Sequence, residues 1–68
     1  MKPQQYSMII QWDPEDQIYI ISVLELPGAK THGKTYDEAI KNILEVIELW
    51  IEAAQEAGRP IPPPRIAA

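Results

Sequence analysis

The stretch LPGAKTHGKTYDEAI, from Leu26 to Ile40, decides the fold because it joins a predicted sheet to a predicted helix. Pro27 restricts φ, and Gly28 accepts the positive φ that the third position of a type II turn requires. The segment AKTH after this turn predicts a short, polar edge strand. Thr35 is a favourable helix N-cap, and Glu38 three residues later completes a capping box. The stretch therefore predicts a turn, a strand and the start of a helix in succession.

Two further strands are predicted before this stretch. Residues Gln4–Trp12 alternate between two faces, and residues Gln17–Leu24 are rich in β-branched side chains. Between them, the segment DPED places Pro14 at the second position of a type I turn. The two strands are therefore expected to form an antiparallel hairpin.

A long amphipathic helix follows the turn and the third strand. It is predicted from Tyr36 to Ala57, with Gly58 as the left-handed residue that ends it and Pro60 just beyond. One apolar stripe is expected to cover the sheet, formed by Tyr36, Ile40, Ile43, Leu44, Ile47, Ile51 and Ala54. The helix and the hairpin together predict the α+β class, a small antiparallel sheet with one long helix packed on one face.

The end of the chain is rich in proline. Residues 59–68 read RPIPPPRIAA, which predicts an extended or polyproline II segment. The sequence leaves undecided whether Arg65–Ala67 adds a short terminal strand. The predicted order is therefore β-β-β-α with an optional final β, in one domain spanning residues 1–68.

Composition narrows the classes of function. The chain has 68 residues, no cysteine, one histidine and a formal net charge of −4. Disulfides and thiolate metal sites are excluded, and one histidine cannot build a structural zinc site. The negative charge disfavours nucleic-acid binding, in which Lys and Arg neutralise phosphates. No segment has the roughly 20 apolar residues that span a bilayer, and the N-terminus lacks a signal-peptide pattern, so a cytoplasmic protein without a membrane partner is expected.

Two apolar groups beyond the core stripe predict self-association as a dimer or tetramer, which a core this small favours. Val46, Trp50 and Ala53 flank the stripe on the helix, and tryptophan is enriched at interface hot spots. Ile18 and Ile20 lie on the second face of a strand that is apolar on both faces, so we expect something to cover that face. The alternative for Val46 and Trp50 is that they complete the core under the tail.

The opposite face of the helix is acidic. Glu48 and Glu52 lie one turn apart, with Glu45 beside them, and like charges at this spacing repel. Leu49 projects among them and is expected to be exposed. This face is a candidate surface for a basic protein partner, with these four residues in contact, and the alternative is an ordinary solvated face.

No catalytic, cofactor or metal site is predicted. His32 is the only histidine, the residue type most often used as a general base, and neither Ser7 nor Ser22 forms a nucleophile motif with it. The spacing of Gly28 and Gly33 fits neither a dinucleotide-binding loop nor a P-loop. An enzyme is therefore not expected.

The order of hairpin, turn, capped helix and proline-rich end resembles the HicB antitoxin family of toxin–antitoxin systems. The matching residues are Glu25, Leu26, Pro27, Gly28, Gly33, Thr35, Glu38 and Ala39. Glu25 stands where the family has aspartate. The resemblance implies a β-β-β-α-β domain with a partial ribonuclease H-like or double-stranded-RNA-binding-like arrangement. It implies a short form of the family, because the sequence ends at RIAA without the C-terminal DNA-binding segment of many members.

The resemblance also implies a function and a partner. Antitoxins of this family bind and block HicA toxins, which are small basic ribonucleases that degrade mRNA. The first expectation is therefore an antitoxin domain that covers the surface of such a toxin. The alternative is a solitary homo-oligomeric module with no toxin and a structural or adaptor role.

Overall fold

A computed structural model describes residues 3–67 as a three-stranded antiparallel sheet with one long helix on one face. The elements are β1 (Met8–Asp13), β2 (Ile18–Val23), β3 (Lys30–Gly33) and the helix α1 (Tyr36–Glu56), with a 3-10 turn at Pro3–Gln5 before β1. The sheet order is β1-β2-β3. This confirms the α+β class and the order β-β-β-α. The predicted domain, residues 1–68, includes positions 1, 2 and 68, which lie outside the described residues.

The hairpin of β1 and β2 is confirmed, with Ile10 opposite Ile21 in the register. Its turn is closed by Asp13, whose Oδ1 accepts hydrogen bonds from the Glu15 N–H at 3.0 Å and the Asp16 N–H at 3.4 Å. Gln17 ends the turn with a φ of +54°, a conformation that the sequence does not predict for glutamine. The first strand starts later than predicted because the residues before it form the 3-10 turn.

The stretch from Leu26 onward has the predicted geometry. The Ala29 N–H donates to the Leu26 carbonyl at 3.1 Å, and Gly28 has a φ of +81°. At the start of α1, Thr35 Oγ1 accepts from the Glu38 N–H at 3.1 Å, which confirms the N-cap. The Glu38 carboxylate accepts from the N–H of residue 34, one position before the cap, so the second half of the capping box is displaced by one residue.

The helix ends as predicted to within one residue. Ala57 is the C-cap and Gly58 has a φ of +66°. The Arg59 N–H donates to the Ala54 carbonyl at 2.8 Å, and the Gly58 N–H donates to the Gln55 carbonyl at 3.2 Å, which together form a Schellman motif. The described part of the tail forms no strand, so the optional fourth strand is absent there.

The core lies between the sheet and α1. Its buried members are Tyr6, Ile21, Val23, Leu26, Ala29, Ala39, Ile43 and Ile47. The buried face of the helix includes Ala39 but leaves Tyr36 57% and Ile40 38% exposed, so the predicted stripe is wrong at these two positions. Tyr36 shares its angular position on the helix with Ala54, which is buried, so its exposure reflects its place as the first residue of α1. Ile40 lies at the edge of the stripe, away from Ala39, which is buried on the other side.

Candidate partner-binding surfaces

The acidic residues singled out in the sequence share one exposed face of α1. Glu45, Glu48 and Glu52 are exposed, and Leu49 among them is 65% exposed. Within residues 3–67 none of the three carboxylates forms an ion pair. The structure therefore places all four residues on one accessible surface, which we call the acidic helix face.

The residues predicted for self-association lie on two different sides of the molecule. Val46 and Trp50 are half-buried and pack against the core, and the Trp50 Nε1–H donates to the Pro27 carbonyl at 3.0 Å. Ala53 is exposed beside them. Ile18 and Ile20 are half-buried on the outer face of the sheet, which faces away from α1. The fold does not bring these two groups together, and no helix of the described chain packs on the outer face.

An open cleft of about 350 Å³ lies next to the half-buried tryptophan. Its lining residues are Pro27, Trp50, Ala53, Ala54 and Arg59. Arg59 supplies the one charged group of this lining, and the other side chains are apolar or aromatic. The cleft brings together no nucleophile with a base, so it offers a place for contact rather than for acid–base chemistry.

His32 lies on β3 and is exposed. Its backbone carbonyl accepts a hydrogen bond from Asn42 Nδ2 at 2.8 Å, which ties the strand to α1. In the part of the chain from residue 3 to residue 67, no group of three or more His, Asp or Glu side chains is placed to hold a metal ion. The same residues contain no helix that is long and apolar enough to cross a membrane.

Glu25 is a buried polar residue whose role the sequence did not reveal. Its carboxylate accepts hydrogen bonds from the Ser7 N–H at 3.0 and 3.1 Å, from Ser7 Oγ at 3.0 Å and from the Arg65 N–H at 2.8 Å. Burial raises the pKa of Glu25, but the hydrogen bonds from Arg65 and Ser7 outweigh this effect, so the pKa lies below its ordinary value. The available signal was a single acid between apolar residues at a strand end.

Tyr6 holds the tail beside this carboxylate. Its hydroxyl donates to the Pro62 carbonyl at 2.7 Å, and its ring is part of the core. Burial and the nearby charge of Glu25 raise the pKa of Tyr6, so the hydroxyl stays a donor at neutral pH. The N-terminal segment and the tail are thus joined through buried polar contacts.

A row of three aromatic rings lies at the end of the sheet nearest the start of α1. The centroids of Trp12 and Tyr19 are 4.9 Å apart, and those of Tyr19 and Tyr36 are 4.6 Å apart in an edge-to-face arrangement. Trp12 is 52% exposed and Tyr36 57% exposed. Sequence reasoning missed this row because its members come from three separate elements.

The fold and these surfaces define a small α+β protein whose prominent exposed features are contact surfaces. Residues 6–68 match the family model described as the HicB_like antitoxin of bacterial toxin-antitoxin system. The chain belongs to this HicB-like antitoxin family.

Curated relatives come from archaea and bacteria. The chain is 44% identical over 57 residues to the UPF0150 protein Ta0767 of Thermoplasma acidophilum, covering 84% of this chain and 81% of that protein. It is 44% identical over 52 residues to the UPF0150 protein ssr1258 of Synechocystis, covering 76% and 74% of the two chains. It is 39% identical over 49 residues to a UPF0150 protein of Thermotoga maritima, covering 72% and 65%. No solved structure matches the chain. Family membership supports an antitoxin role and a toxin as the general class of partner.

Proposed function

We propose that this chain neutralises a small basic mRNA-degrading toxin of the HicA type by covering the toxin's surface. The observation that carries the proposal is the family match, which extends over residues 6–68. The chain acts in the cytoplasm as a binding protein and needs no cofactor or catalytic residue of its own. Neutralisation then depends on the affinity for the toxin and on how much of the toxin's surface is covered.

The acidic helix face supports a basic partner. Glu45, Glu48 and Glu52 are accessible and unpaired within residues 3–67, so their field extends into solvent. Complementary charge steers two proteins together and raises the association rate at low salt. Leu49, at 65% exposure, supplies an apolar contact in the middle of these charges. We therefore assign this face to the toxin.

Self-association is the second part of the proposal. Val46, Trp50 and Ala53 offer one contact surface beside the cleft, and Ile18 and Ile20 offer another on the outer face of the sheet. Because these groups lie on different sides, a dimer would use one of them and a tetramer both. Self-association alone, with no toxin, is the alternative function: a solitary homo-oligomeric module with a structural or adaptor role.

Co-purification from the native host separates these two functions. The tagged full chain is captured, and the proteins present at near-equal stoichiometry are identified by mass spectrometry. A small basic protein whose mRNA cleavage is suppressed by adding the chain supports the antitoxin function. Recovery of the chain alone, with no inhibition of any HicA-type toxin of the host, contradicts it and favours the solitary module.

Charge reversal tests the acidic helix face once the toxin is in hand. The double variant Glu48→Lys with Glu52→Lys is expected to slow association at low salt by about tenfold, because steering is lost. Its matched control is Glu15→Lys with Asp16→Lys, which makes the same change in net charge on the exposed β1–β2 turn. An equal effect of both pairs would assign the steering to net charge and contradict the role of the helix face.

A further inference from the structure

The two edges of the sheet differ in how they are closed. β3 is only four residues long, begins at the exposed Lys30 and is followed by the exposed Lys34. Its outward His32 carbonyl is satisfied by Asn42 of α1 at 2.8 Å. A short strand, lysines and a side-chain cap are the features by which proteins prevent an edge from pairing. The β3 edge is therefore protected.

The β1 edge has none of these protections. β1 has six residues, MIIQWD, with no lysine, no proline and no glycine. The Leu24 N–H donates to the Ser7 carbonyl at 3.1 Å, so Ser7 and Leu24 are a hydrogen-bonded pair between the β1 and β2 sides of the hairpin. Antiparallel bonding alternates, so Met8, Ile10 and Trp12 direct their N–H and C=O groups to the free edge. Within residues 3–67, no other group bonds to these amides.

A partly exposed apolar surface accompanies this open edge. Because α1 lies over β2 and β3, the side chains of β1 that face the helix side are only partly covered. Trp12 is 52%, Tyr36 57% and Ile40 38% exposed, and Ile10 on the same face of β1 as Trp12 is half-buried. The ring contacts through Tyr19 hold the aromatic members in place. Unpaired amides and an uncovered apolar surface thus occur on the same strand.

We propose that β1 pairs antiparallel with β1 of a second copy of this chain, forming one continuous six-stranded sheet from two three-stranded ones. The outward amides fall on Met8, Ile10 and Trp12, so a pairing centred on Ile10 uses all of them. It places Ile10 opposite its own copy and Met8 opposite the partner copy's Trp12. The same register serves both copies, as a two-fold interface requires.

Charge favours a second copy over a basic partner at this strand. No residue from Met8 to Trp12 is charged, although the chain carries a net charge of −4. In the proposed register, the acidic turn of each copy, residues 13–16, lies beyond the residue at which β1 of the other copy begins. Two negative chains therefore meet through their neutral segments, and a basic toxin would find no opposite charge there.

The inference adds a specific surface to the proposed self-association and does not depend on a toxin. It leaves Ile18 and Ile20 accessible, so a contact through the outer face of the sheet remains compatible with it. Edge pairing contributes main-chain hydrogen bonds, and the apolar side chains beside β1 contribute burial of apolar surface, which is small in a domain of 68 residues.

Sedimentation equilibrium of the full chain tests the proposal. The wild-type chain is expected to be dimeric at tens of micromolar, a range typical of moderate interfaces. Trp12→Lys puts a charge into the contact and is expected to raise the dimer dissociation constant at least about tenfold, because each introduced ammonium group then faces the apolar Met8 of the other copy. Leu49→Lys is the control, since it makes the same type of change at a 65% exposed position on the acidic helix face and should leave the constant unchanged. Circular dichroism of both variants verifies the fold.

Single-cysteine variants locate the contact. The chain has no cysteine, so Ile10→Cys introduces one thiol on the proposed two-fold axis. Facing residues of a hydrogen-bonded pair have Cα atoms about 5.5 Å apart, within the range of a disulfide. Oxidation should therefore give a covalent dimer of Ile10→Cys and none of Leu49→Cys.

Three results would overturn the proposal. They are a monomeric wild-type chain up to millimolar concentration, a dimer that Trp12→Lys does not weaken, or equal cross-linking of the two cysteine variants. If the chain is monomeric and Trp12→Lys abolishes toxin capture, β1 contacts the toxin instead. The sedimentation and cross-linking assays contain no toxin, so a failure of this inference is distinguishable from a failure of the antitoxin function.

Discussion

Glu25 connects three segments that are distant in sequence. Its carboxylate accepts from Ser7 near the N-terminus and from the Arg65 N–H in the tail, while Glu25 itself ends the strand region before the Leu26 turn. The residue is 6% exposed, so these bonds replace most of its contact with water. A buried carboxylate is stable in this position only because donors surround it.

Acid is expected to release the tail through Glu25. Its pKa is lower in the folded chain than its ordinary value of 4.5, so its contribution to the free energy of unfolding is complete above about pH 4.5 and is lost as the pH falls through the folded-state pKa.

Glu25→Gln should lower the free energy of unfolding at pH 7 by about 2 kcal/mol, because an amide NH₂ meets the Ser7 and Arg65 donors. It should also flatten the acid dependence. Urea unfolding between pH 3 and 7 measures both effects, and Glu15→Gln in the exposed turn is the control. A parallel pH profile of Glu25→Gln and wild type would contradict this role.

Gly33 is required by close packing rather than by its φ angle. A Cβ at this position would lie 2.4 Å from the Ala39 nitrogen and 2.8 Å from its Cα, both backbone atoms of α1. Gly33→Ala should therefore destabilise the fold by about 3 kcal/mol, since the helix must move away from β3. Gly28→Ala is the comparison, with open space around the Cβ but a φ of +81°, and should cost about 1 kcal/mol. Chemical denaturation of both variants checks the order, and a larger loss for Gly28→Ala would show that the close approach is not limiting.

At the level of elements, α1 is determined by its two ends. Thr35 accepts from the Glu38 N–H at the start, and Gly58 with Arg59 closes a Schellman motif at the end. Both ends depend on residues within six positions of each other. This is why the sequence predicted the helix start at the right residue and its end within one residue.

Removing the N-cap acceptor should weaken the helix and the sheet packing together. Thr35→Ala is expected to lower the free energy of unfolding by about 1 kcal/mol, because the Glu38 N–H loses its partner. Thr35→Ser keeps an acceptor and should retain most of the stability. Thermal unfolding followed by circular dichroism compares the two. Equal losses in both variants would mean that the methyl group, and not the hydroxyl, is what matters.

The rotation of α1 about its axis was less predictable than its length. A wide apolar face fits the sheet in more than one orientation, and periodicity alone favoured a stripe that includes Tyr36 and Ile40. In the structure Asn42 bonds to β3 and Trp50 bonds to the Pro27 carbonyl, which brings the flank that carries Ala39 onto the sheet and leaves Ile40 at the edge of the buried face. These bonds join residues that are ten and more positions apart, so no local rule contains them.

For the whole molecule, the small core means that self-association is expected to contribute to the free energy of unfolding. The hydrophobic core cluster has eight buried members, few for an ordered chain of this length. If β1 pairs with a second copy, folding and dimerisation are linked, and the unfolding temperature depends on concentration.

The midpoint of thermal unfolding is therefore expected to rise by several degrees between about 5 and 500 μM chain, as mass action predicts for a dimer. Trp12→Lys should remove most of this dependence while the Leu49→Lys control keeps it. Differential scanning calorimetry over this range measures both. A midpoint that is independent of wild-type concentration would mean that the monomer alone carries the stability.

The sequence by itself determined the strands, the type II turn at Pro27–Gly28, the capped helix and, through the same turn and cap residues, the family. These features depend on backbone preferences and hydrogen bonds between near neighbours, which a linear pattern contains. It also placed Glu45, Glu48, Leu49 and Glu52 on one exposed face, since helical spacing fixes that relation.

Three features were decided only by the tertiary structure. The burial of Glu25, the row from Trp12 to Tyr36 and the difference between the two sheet edges each need residues from separate elements to meet. Such meetings depend on how α1 is placed over β2 and β3, and that placement is set by the packing of the whole core. Local sequence preferences do not encode it.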